Sequence, residues 1–419
     1  MPEDLGLSVS KTLFAPRLGA VYRLNDNSVI RSGYGITYNP LPFSRPLRGF
    51  YPLTIAAAYF ADEPYGWQTT LEEGMPDVVG PDLSSGRLAL TPDYLMRTPA
   101  SDLSRSRIHS WNIAFERRLL WDVSMDVAYV GTAKNGGFTD IDANASDVPG
   151  GGSASRPLTS IRGNQSLLLW GPFAKSRYHS LQVAINRPFK NGLLLKGAYT
   201  LSRAKNEVDE DGWSQLMWNA PSLREKNYAL AGYDRPHIFQ MAFLCELPYK
   251  TSTAENKVVG AILGDWQVNG IYSAVSGTPF TITASGAHLN MPGNLQTANL
   301  NGEYKILGDH GDDGPFFDPA PFSQPQGVVF GNTGRNQFRG PGYQNIDFSI
   351  FRRFPVGGRD RRLEFRAEFF NLTNTPKWGN PDANVTSGTF GYTYSVGADG
   401  RTDAGSGERQ IRFGLRLQF

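Results

Sequence analysis

Five histidines are the first candidates for chemistry: His109, His179, His237, His288 and His310. Neutral imidazole is the commonest metal ligand. The first three each open a run of alternating residues, and each follows an arginine by two positions (Arg107, Arg177, Arg235). That placement sets them at one height near one rim of a sheet. One reading is a ring of metal or ligand contacts. The other is a set of interfacial polar residues inherited through a repeated hairpin, and it is favoured because no local spacing such as H-E-x-x-H supports a metal. Two acidic stretches, Asn206 to Gly212 and Gly308 to Gly314, contain Asp209, Glu210, Asp211, Asp312 and Asp313. Such oxygens could hold Ca²⁺, but neither stretch has the EF-hand pattern with its closing Glu, so solvated loops are expected.

Cys245 is the only cysteine, which excludes a disulfide framework within the chain and a Cys-based zinc site. It shares a register with Phe239, Met241, Phe243 and Leu247, as a small apolar residue facing lipid would. No nucleophile elbow, P-loop or dinucleotide fingerprint is present, so the sequence implies neither an enzyme nor a cofactor. A net charge of +2 gives no case for nucleic acid as a partner.

The elements carrying these residues are strands. Side chains alternate across a strand, and this chain alternates repeatedly. Trp111, Ile113 and Phe115 oppose Ser110, Asn112 and Glu116. Ile346, Phe348 and Ile350 oppose Asn345, Asp347 and Ser349, and Leu363, Phe365, Ala367 and Phe369 oppose Glu364, Arg366 and Glu368. About eleven such segments are expected, at 14–24, 28–38, 107–118, 123–131, 177–187, 193–203, 237–247, 265–276, 344–354, 362–371 and 408–419. Most have about ten residues, the length of a tilted membrane-spanning strand.

Connections alternate between short (25–27, 119–122, 188–192, 248–264, 355–361) and long (39–106, 132–176, 204–236, 277–343, 372–407). Short turns on one rim and long loops on the other are the pattern of an outer-membrane barrel. An internal repeat agrees with it. HSWNIAFER at 109–117 returns as HSLQVAINR at 179–187, and Tyr129 and Tyr199 keep the same offset of 70. One up-down hairpin is used twice.

Alternation alone also fits a soluble barrel. Three features favour lipid. The polar face carries many charges, among them Arg31, Glu116, Asp126, Asp347, Arg353, Glu364, Arg366, Glu368, Arg412 and Arg416. Aromatics gather toward strand ends (Tyr38, Trp111, Trp121, Tyr178, Trp266, Tyr343), where a membrane-interface belt belongs. The chain closes on Phe419 in the apolar register. No stretch reaches the roughly 18 apolar residues of a membrane helix; the longest candidate is Leu53 to Ala61. The first residues do not read as a signal peptide.

The ending Arg412-Phe413-Gly414-Leu415-Arg416-Leu417-Gln418-Phe419 resembles the C-terminal assembly signal of bacterial outer-membrane proteins, with Arg412, Gly414, Leu417 and Phe419 at its defining positions. FAPRLGAVYRL (14–24), DRPHIFQMAFLCELP (234–248), GNTGRNQFRGPGYQNIDFSIFRRF (331–354) and LEFRAEFFNLTNTPKWGNP (363–381) resemble the barrel of TonB-dependent receptors. The likeness is to the Oar-like group with a carboxypeptidase-regulatory-like domain.

The resemblance implies an all-β, antiparallel up-and-down transmembrane barrel, here partial. Such transporters have about 22 strands around a plug, and about half are found. Residues 1–419 would then be the C-terminal part of a receptor barrel without its plug, a fragment of a longer protein. The implied function is TonB-dependent nutrient uptake at the outer membrane, with an unknown small ligand held by the long loops, above all 39–106 and 277–343. Its partners would be membrane lipid and the assembly machinery, with TonB and the plug only in the full-length protein. Asp347, Arg353, Glu364, Arg366, Glu368, Arg412 and Arg416 would face the lumen and knit the wall across strands. The alternative is a structural or adhesive surface barrel that transports nothing.

Overall fold

The computed structural model describes residues 8, 10–40, 69–74, 84, 96–162, 165–209, 215–357, 361–396 and 407–419. Its frame is a wall of eleven long strands: β1 (Arg17–Asn25), β2 (Ser28–Tyr38), β3 (Arg107–Arg118), β4 (Ser124–Asp142), β5 (Leu167–Lys190), β6 (Leu193–Asn206), β7 (His237–Glu246), β8 (Gln267–Val275), β9 (Tyr343–Pro355), β10 (Arg362–Phe370) and β11 (Gln410–Gln418). Each pairs antiparallel with its neighbour in the sequence, giving an up-and-down order throughout. Among the described residues β1 and β11 each have one strand partner, so the wall has two open edges.

The strands form where alternation is strongest, and the turns between them carry matching chemistry. Lys190 pairs with Leu193 across Asn191 and Gly192, whose φ values are 52° and 75°. A two-residue Asn-Gly link with both φ positive matches the right-handed twist of the flanking strands.

Two strands run well past their expected ends. β4 has 19 residues and β5 has 24, so both ends of the stretch 132–176, at 132–142 and 167–176, are ladder rather than loop. The alternation there is broken by register shifts at Asn135, Gly137 and Thr139, which hides the extension from a two-residue period.

Burial across the wall is the reverse of a soluble sheet. Ile113, Leu181, Leu201 and Phe413 lie on the apolar face and are 54%, 42%, 41% and 73% exposed. Ser180, Ser349 and Glu364 lie on the polar face and are buried. A sheet with its apolar side chains outward needs an apolar solvent, and a bilayer supplies one.

The connection 248–264 is longer than its neighbours on the short-turn rim because it contains a helix, α1 (Lys257–Leu263). Asn256 Oδ1 caps it, accepting from the Val258 and Val259 amides at 2.9 and 3.3 Å. The Trp266 indole N–H donates to the Ile262 carbonyl at 3.0 Å. Arg352 falls in the apolar register beside this segment, and the segment shields it. Its Nη2 donates to Thr251 Oγ1 at 3.1 Å, and its guanidinium lies 4.5 Å from the Phe354 ring.

Candidate functional site

The histidines resolve into a repeated cross-strand device. The Tyr34 hydroxyl and His109 Nδ1 share a hydrogen bond of 2.8 Å; Tyr129 with His179 and Tyr199 with His237 share bonds of 2.7 Å. In each case the histidine stands two residues from the position opposite the tyrosine, on the apolar face near the long-loop rim. Tyr272 and Gln344 repeat the geometry a fourth time, the hydroxyl donating to Gln344 Oε1 at 3.0 Å. Trp111 lies across Gly131 between the first two pairs, where a Cβ would collide with its indole. The result is an aromatic and imidazole belt along one height. His288 is exposed in a loop, and His310 stacks on Trp378 with ring centres 5.0 Å apart.

Above the belt the long connections build a second body. Its core is Phe280, Ile282, Ala298, Phe316, Phe317, Phe322, Phe338 and Phe390, drawn from 277–343 and 372–396. Phe317 and Ile282 are fully buried. Tyr304 packs on Phe338 with ring centres 4.8 Å apart. Burial disfavours its phenolate and pushes its pKa up to about 12. Asp382 feels burial too, which raises its pKa. Hydrogen bonds from Ser387, the Asn384 amide and Thr389 outweigh that and hold it below the usual carboxylate value.

Two arginines of the GNTGRNQFRGPGY stretch join the loops. Arg335 is 4% exposed. Its Nη1 donates to Asn206 O at 2.8 Å and to Asn227 O at 3.0 Å, while Nη2 meets Asp209 at 2.9 Å. Arg339 donates to Asp234 Oδ2 and to Gly277 O, both at 2.7 Å. Asp234 in turn accepts from the Ala204 amide at 2.6 Å. A second buried knot surrounds Asp142, which accepts from Ser166 Oγ at 2.7 Å and the Asn144 amide at 2.9 Å. Asn219 Oδ1 accepts from the Asp142 amide at 2.8 Å. Nothing in the sequence pattern marks Arg335, Arg339, Asp142 or Asn219 for these roles. Their type gives little signal; only the fold brings their partners together.

The first acidic stretch is therefore only partly a solvated loop. Asp209 is tied to Arg335 and accepts from the Gly232 amide at 2.6 Å, while Glu210 and Asp211 lie outside the described residues. Asp312 and Asp313 fall in a short 3₁₀ turn. Among the described residues no three His, Cys, Asp or Glu side chains converge as metal ligands would. Cys245 sits opposite Val268 and Leu193, within the apolar register.

Arg31, Glu116, Asp126, Arg353 and Glu364 of the polar face lie toward the short-turn rim. Arg31 meets Glu116 at 2.7 Å and Asp126 at 3.3 Å across three strands. Glu364 takes Arg353 at 2.8 Å and Arg366 at 3.0 Å, and Arg366 also reaches Glu368 at 3.4 Å. Asp347 does not join this cluster. It accepts from the Asn371 amide at 2.9 Å and Asn345 Nδ2 at 3.0 Å, and so anchors the end of β10. Arg416 faces Glu364 and Arg412 faces Glu368 in the register, yet among the described residues neither forms an ion pair. Arg412 instead covers the Phe370 ring at 5.0 Å. At the edge, Leu417 and Phe419 are 54% and 92% exposed, and nothing crowds Gly414.

A family model for an outer membrane β-barrel domain matches residues 2–412, and the chain belongs to that family. The wall with its apolar face outward is thus a wall in the outer membrane. Comparison with curated proteins gives no match. Among solved structures, the outer membrane transporter YddB from Escherichia coli aligns at 9% identity with a TM-score of 0.49, over 97% of this chain and 40% of that one. The ferripyoverdine receptor of Pseudomonas aeruginosa aligns at 11% identity and 0.43, over 97% and 33%. The FrpB iron transporter from Neisseria meningitidis aligns at 10% and 0.45, over 98% and 40%. This chain spans well under half the length of each.

Proposed function

We propose that the chain is the C-terminal part of a TonB-dependent receptor barrel of the Oar-like group, and that the whole receptor takes up a nutrient across the outer membrane. The observation that carries this reading is the wall itself: eleven strands in sequence order with both edges unpaired among the described residues. Unpaired backbone groups at an edge are very costly in lipid, so such a wall needs further strands to close. A barrel of about 22 strands encloses a lumen wide enough for a plug. The folded loop body above the belt is the capture surface, and its buried ties hold it in place for a small ligand.

In this reading the short turns are periplasmic and the long loops extracellular. Asp347, Arg353, Glu364, Arg366, Glu368, Arg412 and Arg416 face the lumen and the plug. Arg412, Gly414, Leu417 and Phe419 form the strand signal read by the assembly machinery. TonB acts through the plug of the complete protein. Deleting the encoding gene should abolish energy-dependent accumulation of one nutrient from a panel of siderophores, cobalamin, glycans and peptides. Dissipating the proton gradient should mimic the deletion. Unchanged uptake across the whole panel overturns the transport reading.

A further inference from the structure

The outer face of β5 and β6 changes character at the tyrosine belt. Below the belt Leu181 faces Leu201 across the two strands, and both are exposed to lipid. One step up the same register His179 faces Arg203, and at the next Arg177 faces Lys205. Residues two apart share a face of a strand, so Arg177, Arg203 and Lys205 stand on the lipid side, toward the long-loop rim. Arg177 is fixed by three neutral acceptors. These are the Lys134 and Ser176 carbonyls at 2.9 and 2.8 Å and Asn135 Oδ1 at 2.9 Å, which leave its charge uncancelled. Among the described residues Arg203 and Lys205 form no ion pair. Glu207 is taken by Lys175, its Oε1 3.5 Å from Nζ, while Asp209 and Asp234 are engaged by Arg335 and Arg339. The Tyr228 ring draws Lys175 and Lys205 to one side, with their ammonium groups 5.0 and 5.7 Å from its centre. Like charges directly opposite each other destabilise a sheet, so Arg177 and Lys205 call for an anion from outside the chain. At the matching height on β8 and β9 the face carries Ala274 and Gln344, and no charge.

We propose that Arg177, Arg203 and Lys205 hold the phosphate of one outer-leaflet lipid, whose acyl chains run down the wall over Leu181 and Leu201. The cations and the apolar residues lie on one continuous face, which already meets the bilayer. An aromatic belt sits at the level of the headgroups, so cations at and just above it meet the charged part of a lipid. Arginine and lysine are the side chains best suited to phosphate. The hydrogen bonds that fix Arg177 set its guanidinium in place before the lipid arrives, which lowers the cost of binding. The proposal depends on the membrane location and not on transport, so it can fail while uptake stands.

The test is native mass spectrometry of the protein extracted from outer membranes in mild detergent, stripped of lipid and given one probe at a time. Phosphatidylglycerol should stay bound at one copy per chain, and diacylglycerol with the same acyl chains should not. Arg203→Glu and Lys205→Glu should each lower phosphatidylglycerol retention about tenfold, equivalent to ~1.4 kcal/mol. Heat-modifiable gel mobility reports whether each variant still folds. The neutral Arg203→Gln, expected to lower retention severalfold, decides if neither does. Equal retention of the two lipids overturns the assignment, as does equal retention by a folded variant. So does displacement of the bound lipid by inorganic phosphate, which would make the cations a site for the free ion.

Discussion

The wall and the loop body bury opposite things. In the wall Ile113 and Phe413 stand exposed while Ser349 and Glu364 are buried. In the loop body Phe317 and Ile282 are fully buried, as in any water-soluble core. The same side-chain chemistry is used with its sign reversed, and the boundary falls at the belt of tyrosine pairs. Below it the solvent is hydrocarbon, and above it water. The wall needs no apolar core, since its backbone ladder satisfies itself. The loop body has little ladder, so it relies on aromatic packing and on buried arginines that satisfy loop carbonyls.

That contrast can be broken most forcefully at Arg335. Arg335→Ala leaves Asp209 and the carbonyls of Asn206 and Asn227 without their partner. Asp209 is 40% exposed and stays solvated, but the Asn206 and Asn227 carbonyls are buried, and each left unsatisfied costs about 1–3 kcal/mol. Limited proteolysis should then cut within 204–236 and 277–343, while the wall keeps its heat-modifiable mobility. Protection equal to the unmodified protein would show that the ties do not hold the loops.

Two residues of matched exposure sharpen the comparison. Ile113 in β3 is 54% exposed and Val329 in the loop body is 52% exposed. By exposure alone, arginine should be tolerated equally at both. By solvent, Ile113→Arg places a charge in hydrocarbon at a cost of about 2–4 kcal/mol, and Val329→Arg should change stability by no more than about 0.5 kcal/mol. The yield of folded protein in the outer membrane measures both. Equal yields would contradict a lipid-facing wall.

The two regions also differ in how far the sequence reveals them. All eleven wall strands are visible in it, because a strand facing lipid on one side and polar groups on the other must alternate at every second residue. Where that rule lapses, at Gly136 and Gly137, the continuation of β4 is missed. The loop body has no period: Phe280, Phe317, Phe338 and Phe390 meet only through tertiary folding. The charged face is an intermediate case. The alignment of Arg353 with Glu364 follows from the register, but Asp347 capping the Asn371 amide does not. The histidines show the same limit. Their offset of 70 announces a repeated device, yet the diagonal choice of tyrosine partner becomes visible only with the register.

The belt itself supports a smaller prediction. Tyr129→Phe removes the bond to His179 and Tyr272→Phe the bond to Gln344, with both rings kept. Each should cost about 0.5–1.5 kcal/mol, read as a shift of the urea midpoint in lipid vesicles. A similar loss at both sites would mean the belt depends on the tyrosine hydroxyl rather than on imidazole. A loss confined to Tyr129 would single out the histidine pairs.

The smallest expected effect separates the regions by pH. His310 stacks on Trp378 in the loop body. Burial there holds its imidazole below the ordinary value of 6.5, and Asp309 and Asp313 pull the other way less strongly. The unfolded chain therefore takes up the proton first. The stability that the neutral ring lends is complete above about 6.5 and is lost as pH falls through the lower folded value. Carboxylates such as Asp382, held below its ordinary 3.8, act only in more acid solution. Mild acid should thus increase protease nicking around 306–316 while leaving the wall unchanged. His310→Gln, which cannot take up the proton, should flatten that dependence. An identical pH slope in the variant would move the acid sensitivity elsewhere and leave the stacked ring as packing alone.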